Sequence, residues 1–414
     1  MEIRPILASL RHHKLTVLLL VLEVALTSAI VTNAVFMIEQ RLHRMDAPSG
    51  IAENQLVEVQ VAAIRKGSTA AEQARTQTDM AALRQIPGVR QVAITWQLPF
   101  TGSSGNSTGI KLHPEQQHYT AQAAEYLGEN LLPTLGLRLV AGRDFGPDGY
   151  VDLTTATAGL NSGRAVDLPH TLIVTRALGE RLWPGQNALG KVIYLGGAIP
   201  MRVIGVVARL ARMNPFLIGS GPGDSLILPI RMSAAHGGIY VLRCAPQDRA
   251  RVLREALAAL KKIDPNRVLL THRTYEQARH AFFANDRAVM GTLVGVIVAL
   301  LLVTALGIVG LVSFWVSQRT KQIGIRRALG ATRGDILRYF QTENFLIVTG
   351  GVVLGVILAV GLNLLLMQHY QLPRLPLWYL PIGAVVLWLL GQLAVLAPAL
   401  RAAAVPPVVA TRSV

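Results

Sequence analysis

Cysteine is almost missing from this sequence. Cys244 stands alone, so no disulfide can form within the chain, and nothing in the sequence supports one between chains. Acidic residues are scarce, 24 Asp+Glu against 40 Lys+Arg, and aromatics make up only 6%. The usual catalytic signatures are missing as well. The 10 histidines form no H-E-x-x-H, and no Cys/His cluster has zinc spacing, which excludes the common zinc sites. "GQNALGKV" at residues 185–192 falls one residue short of G-x-x-x-x-G-K-[ST]. Val192 stands where a hydroxyl would hold Mg²⁺, "RLWP" precedes in place of a strand, and a strand-like run follows in place of a helix. Ser103, Ser104, Asn106 and Ser107 lie in a Gly-rich connecting loop, and Asp144 and Asp148 lie in turn-rich, solvated sequence. No enzyme site emerges.

What the chain has in abundance is apolar sequence, 51% of 414 residues, together with a net charge of +16. In a soluble protein that charge would point to nucleic acid. Four apolar runs point instead to a bilayer, whose ~30 Å core takes ~20 helical residues. The predicted spans are residues 15–37, 289–316, 345–367 and 377–400. The first is too long for a cleaved signal peptide and no small-x-small site follows it cleanly, so it reads as an uncleaved signal anchor.

Orientation follows from Lys and Arg near the helix ends. Arg4, Arg11 and Lys14 precede the first span. Arg319, Lys321, Arg326, Arg327, Arg333 and Arg338 lie between spans two and three, and Arg401 and Arg412 follow span four. The loop at 368–376 carries only Arg374, beside the interfacial aromatics Trp378 and Tyr379. The expectation is a multi-pass protein with residues 1–14, 317–344 and 401–414 in the cytoplasm and residues 38–288 outside. The outward location also argues against ATP at residues 185–192.

The outer region predicts strand–helix–strand order twice. "LVEVQVAAI" (56–64), "AAEQARTQTDMAALRQI" (70–86) and "VRQVAITWQL" (89–98) form the first set. "GIYVLRC" (238–244), "DRARVLREALAALKKI" (248–263) and "NRVLLTH" (266–272) form the second. The predicted fold class is therefore four membrane helices plus an extracytoplasmic α+β domain. In that domain a split ferredoxin-like βαβ…βαβ subdomain carries an inserted, mainly β subdomain at about residues 109–223. Polar-apolar stretches at 38–45 and 278–287 suggest that two membrane helices continue outward as a stalk.

Glu23 sits mid-span, where a carboxylate is costly unless it is paired or faces a wet interior. A helix-packing or relay role is one reading; satisfaction by a partner or neighbouring helix is the one favoured. Gly291-x-x-x-Gly295 and Gly351-x-x-x-Gly355 have the spacing of close helix contacts. The sharpest feature is "QRTKQIGIRRALGATRGDILRYF" at residues 318–340. A basic helix with Ile323, Ala328 and Leu329 as apolar contacts is expected to end at Gly330. Thr332 then caps a second helix, with Asp335 as its capping-box-like partner. Such a break suits either an anionic lipid surface or a protein partner.

At these residues the sequence resembles the MacB/FtsX-type ABC transporter permeases. "IPGVRQVAITWQLPFTG" (86–102), "LLPTLGLRLVAGRDF" (131–145), "TRALGERLWPGQNALGKVIYLGG" (175–197) and "PALRAAAVPPVVATR" (398–412) extend the likeness over nearly the whole chain. The resemblance implies a MacB-like periplasmic core domain on stalks, in a dimer of four-span subunits in the bacterial inner membrane, with this chain itself non-catalytic. It implies that residues 318–340 dock on a separate cytoplasmic ATPase, which binds ATP and Mg; no cofactor is expected in this chain. Ile323, Ile325, Arg326, Arg327, Ala328, Leu329, Gly330 and Ala331 are the expected ATPase contact. Further expected partners are a second permease subunit, alike or related, a periplasmic adaptor, an outer-membrane channel and membrane lipid. The expected activity is export by mechanotransmission. Residues 146–170 look longer and less patterned than the family would suggest. Two alternatives stand beside it: lipoprotein release or control of cell-wall hydrolases within the same family, or a membrane sensor or scaffold. The latter predicts an effector domain after the fourth span, where residues 401–414 follow.

Overall fold

A computed structural model describes residues 14–62, 68–102, 105–162, 168–195, 199–216, 221–370 and 375–406. Arg4, Arg11, Ser103, Ser104, Arg374 and Arg412, and part of the 146–170 stretch, lie outside the described residues. The chain runs as α1 (Lys14–Met45), α2 (Thr69–Arg84), α3 (Arg249–Ile263), α4 (Ala284–Gln318), α5 (Thr320–Ala328), α6 (Arg333–Tyr370) and α7 (Tyr379–Ala403), with shorter helices between. It divides into a helical unit, Met1–Met45 with Asn285–Val414, and a sheet unit, Asp46–Ala284.

In the sheet unit β1 (Leu56–Ala62), β2 (Val89–Thr95), β12 (Ile239–Cys244) and β13 (Val268–Thr274) form an antiparallel layer in the order β2-β12-β1-β13. Leu56 pairs with Arg243 and Val57 with Thr274, so β1 is flanked on both sides by strands made much later. The helices that follow β1 and β12 cover one face. Val252, Ala256 and Leu260 of α3 recur at every fourth residue and are fully buried with Met80 and Leu83 of α2 and Val57 and Val59 of β1. Among them lies a polar knot. Asp79 accepts from Arg267 Nη1 at 2.7 Å and Nη2 at 3.0 Å and from Tyr240 Oη at 2.7 Å. All three residues are buried, and the knot ties α2 to β12 and to the approach to β13.

Between these halves stand β3 (Ser107–Lys111), β4 (Ala121–Glu129), β5 (Leu139–Gly142), β6 (Val151–Asp152), β7 (Thr171–Thr175), β8 (Val192–Leu195), β9 (Ile199–Val207), β10 (Ser225–Leu228) and β11 (Ile230–Arg231). The order β10-β7-β9-β8-β3-β4 closes on itself, because β10 also pairs with β4 in parallel register, Ser225 opposite Ala124. Closure removes the free edges that an open sheet would leave. β5 adds onto β9, and β6 pairs with β11. The near-match to a phosphate loop falls at the turn into the β8–β9 hairpin. Gly190 N–H bonds to Val203 O at 2.8 Å, β8 begins at Val192, and Lys191 lies over the Trp183 ring at 5.2 Å.

In the helical unit α1, α4, α6 and α7 are each long and apolar enough to cross a bilayer. Small residues set their spacing. A Cβ on Gly351 would stand 2.6 Å from Val24, and one on Gly355 would stand 2.5 Å from Ser28, so this pair lets α6 lie directly on α1. Gly291 and Gly295 meet nothing within 4 Å. Polar side chains stitch the helices. Thr27 bonds Thr304 at 2.8 Å, Asn33 Nδ2 donates to Ala359 O at 3.1 Å, and Asn344 Nδ2 donates to Gly391 O at 2.9 Å. The polar ends of α1 and α4 are joined by Arg41 and Asp286 at 2.5 Å.

Candidate functional site

α4 ends at Gln318, α5 occupies only nine residues, and α6 starts at Arg333. The local sequence accounts for each boundary. Gly330 has φ +99°, a conformation costly for residues with a Cβ, and it closes α5. Ala331 N–H bonds to Arg326 O at 3.0 Å and Gly330 N–H to Arg327 O at 3.2 Å, the paired bonds of a Schellman ending. Thr332 then begins α6. Its Oγ1 accepts from Asp335 N–H at 3.2 Å, while Asp335 Oδ2 accepts from Thr332 N–H at 3.0 Å and from Thr332 Oγ1 at 2.6 Å. The break is therefore held by hydrogen bonds on both sides.

Two stripes of α5 face opposite ways. Arg319, Ile323 and Arg327, spaced by four, face inward. Arg319 donates to both carboxylate oxygens of buried Glu343 at 3.2 Å and lies over the Trp315 ring at 5.7 Å. Ile323 is buried in one cluster with Trp315, Ile336 and Phe340. Arg327 Nη1 donates to Ala403 O at 2.7 Å and Val405 O at 3.2 Å, at the end of α7. Ile323 and Arg327, both counted in the expected ATPase contact, thus face the element's own unit and anchor it there. The opposite stripe, Lys321, Ile325 and Leu329, is exposed, Leu329 at 83%. Arg326, Ala328 and Gly330 are exposed beside it, and Ala331 is half-buried. The Arg326 guanidinium rests 5.1 Å from the Tyr339 ring centroid. An apolar pair, Ile325 and Leu329, flanked by Lys321 and by Arg326, is thus presented on an anchored base.

The anchoring role of Arg319 and Glu343 was not read from the sequence. The signal was available: Arg319, Ile323 and Arg327 share one helical face, and an acid that close to a span calls for a cation. Glu23 is half-buried in α1, in space left by Gly307 of α4; a Cβ on Gly307 would stand 2.7 Å from Glu23 Oε2. It lies one turn from the Thr27–Thr304 bond. Among the described residues no group of three or more His, Cys, Asp or Glu is arranged to hold a metal ion.

Residues 15–260 match the family described as MacB-like periplasmic core domain, and residues 294–407 match FtsX-like permease C-terminal. The chain is 25% identical over 356 residues to the uncharacterized ABC transporter permease YknZ of Bacillus subtilis (strain 168), covering 83% of this chain and 81% of that one. It is 32% identical over 225 residues to the pyoverdine export ATP-binding/permease protein PvdT of Pseudomonas entomophila (strain L48), covering 50% of this chain and 32% of PvdT. Its alignment with the macrolide export ATP-binding/permease protein MacB of Chromobacterium violaceum is 28% identical and spans 57% of this chain and 34% of MacB. The chain therefore spans only about a third of the two ATP-binding/permease relatives. Among solved structures, the extracellular domain of the ABC-type transporter YknZ from Gram-positive bacteria aligns with 52% of this chain at 16% identity and a TM-score of 0.31. With both family regions matched across most of its length, the chain belongs to the MacB/FtsX-type ABC transporter permeases.

Proposed function

We propose that this permease couples ATP hydrolysis by a separate cytoplasmic ATPase, which holds the ATP and Mg, to movement of its sheet unit, and that the work done is export by mechanotransmission. The reading rests on one observation: Ile325, Arg326, Ala328, Leu329 and Gly330 are exposed on an element whose other face is fixed by Ile323 and by Arg327. A lipid surface accounts for the cations, but not for a break held by hydrogen bonds on both sides. A rigid element transmits displacement into α6, and a nucleotide-driven partner shifts the permease by the difference in its contact energy with two states. In this reading the coupling element and both termini lie in the cytoplasm and the sheet unit in the periplasm of an inner-membrane protein. The order β2-β12-β1-β13 under two helices is the split ferredoxin-like layer. A second permease subunit completes the transporter, with a periplasmic adaptor and an outer-membrane channel as export partners. The names of the PvdT and MacB relatives favour export over lipoprotein release or hydrolase control.

The test is Arg326→Glu, alone and with Leu329→Asp, in the full chain reconstituted with its ABC ATPase. Permease-stimulated ATP hydrolysis should fall at least tenfold while membrane insertion and unfolding midpoint stay unchanged. Undiminished stimulation in the double variant would overturn the assignment.

A further inference from the structure

The sheet unit contains a cavity of about 680 Å³ that the coupling reading does not use. Its size lies within the roughly 300–1,000 Å³ range of small-molecule sites. Pro48, Phe100, Pro215 and Pro222 line it, with Arg176 and Arg209. Phe100 is buried and held at φ +52°, an uncommon conformation for a bulky residue. Its N–H bonds to Met213 O at 2.9 Å, and behind it the Phe216, Phe282 and Phe283 rings stand 6.3, 5.8 and 5.5 Å away. The Arg279 guanidinium stacks on it at 4.6 Å. The apolar wall is therefore Pro48, Pro215 and Pro222 with the edge of Phe100, which the rings behind it hold in place.

Charge decides the ligand class. Among the described residues no carboxylate lies within ion-pair distance of exposed Arg176 or Arg209, although neighbouring Arg181 is paired with Asp224 at 2.9 Å. Among the described residues the one acid lining the cavity, Glu180, accepts the Gly185 N–H at 2.9 Å. Two unpaired guanidiniums beside an apolar wall favour an anion carried on an apolar body.

We propose that this cavity binds a single anionic amphiphile, its chain against Phe100 and the prolines and its carboxylate or phosphate on Arg176 and Arg209. The site is independent of ATPase docking, and its test needs no ATPase. The full chain in phosphatidylcholine nanodiscs is titrated with dansylaminoundecanoate, with empty nanodiscs subtracted. Saturable one-to-one binding is expected. Competition by dodecanoate identifies a free fatty acid as the source, and competition by lysophosphatidate identifies a lipid phosphate; either supports the site. Arg176→Glu with Arg209→Glu should weaken binding at least tenfold. Ala177→Trp, which fills the cavity from an exposed position, should abolish it, with unchanged unfolding midpoints showing that both variants fold. Non-saturable uptake, equal competition by dodecyltrimethylammonium, or undiminished binding in the arginine double variant would overturn the proposal.

Discussion

Burial on β4 pushes the Glu125 carboxyl up to about 6, with no offsetting charge among the described residues. The folded chain holds a proton that the unfolded chain has released between the ordinary carboxylate value and pH 6. Stability therefore falls as pH rises through that window, and at pH 7 the ionised group costs at most about 2 kcal/mol. Glu125→Gln should raise the unfolding midpoint at pH 7.5 and flatten its decline between pH 5 and 7, measured by thermal unfolding of the full chain. Asp79 is a buried acid held by partners. Its carboxylate accepts from two Arg267 nitrogens and from Tyr240, all buried. Asp79→Ala leaves a buried guanidinium without its anion and should cost about 3–5 kcal/mol in chemical denaturation, whereas Asp79→Leu with Arg267→Met should recover much of that loss.

Among the elements, α5 shows how far a sequence can be read. Its end was legible because Gly330 demands a left-handed residue and because Thr332 and Asp335 stand three apart, both local signals. Its inward face was not, because Arg327 meets carbonyls at the far end of α7 and Arg319 meets a carboxylate in α6. The antiparallel pairing of β8 with β9 has a local signal too, because "KVIYL" and "MRVIGVV" are strand-like runs close together in the sequence. The closure of β10 on β4 has none, since parallel pairing between distant strands leaves no local mark. One consequence of the inward face is measurable. Arg319→Ala takes the cation from Glu343, which is 2% exposed, and should lower stability by about 3 kcal/mol or more. Arg326→Ala, on the exposed face, should change it by less than about 0.5 kcal/mol in the same thermal unfolding assay.

For the molecule as a whole, the helical unit is assembled from both ends of the chain. α1 meets α6 where Gly351 and Gly355 leave room for Val24 and Ser28. Gly355→Leu overfills that contact, and a loss of roughly 2 kcal/mol is expected, read as a lower unfolding midpoint in detergent. Gly291→Leu, which meets open space, should leave the midpoint unchanged. The antiparallel layer has the same long-range character. β1 leaves the ribosome early, yet its neighbours β12 and β13 arrive only at the end of the domain. For most of synthesis its hydrophobic backbone ribbon is an unsatisfied template. A nascent chain stalled before residue 239 should therefore depend on chaperones, while one extended past residue 274 should shed them.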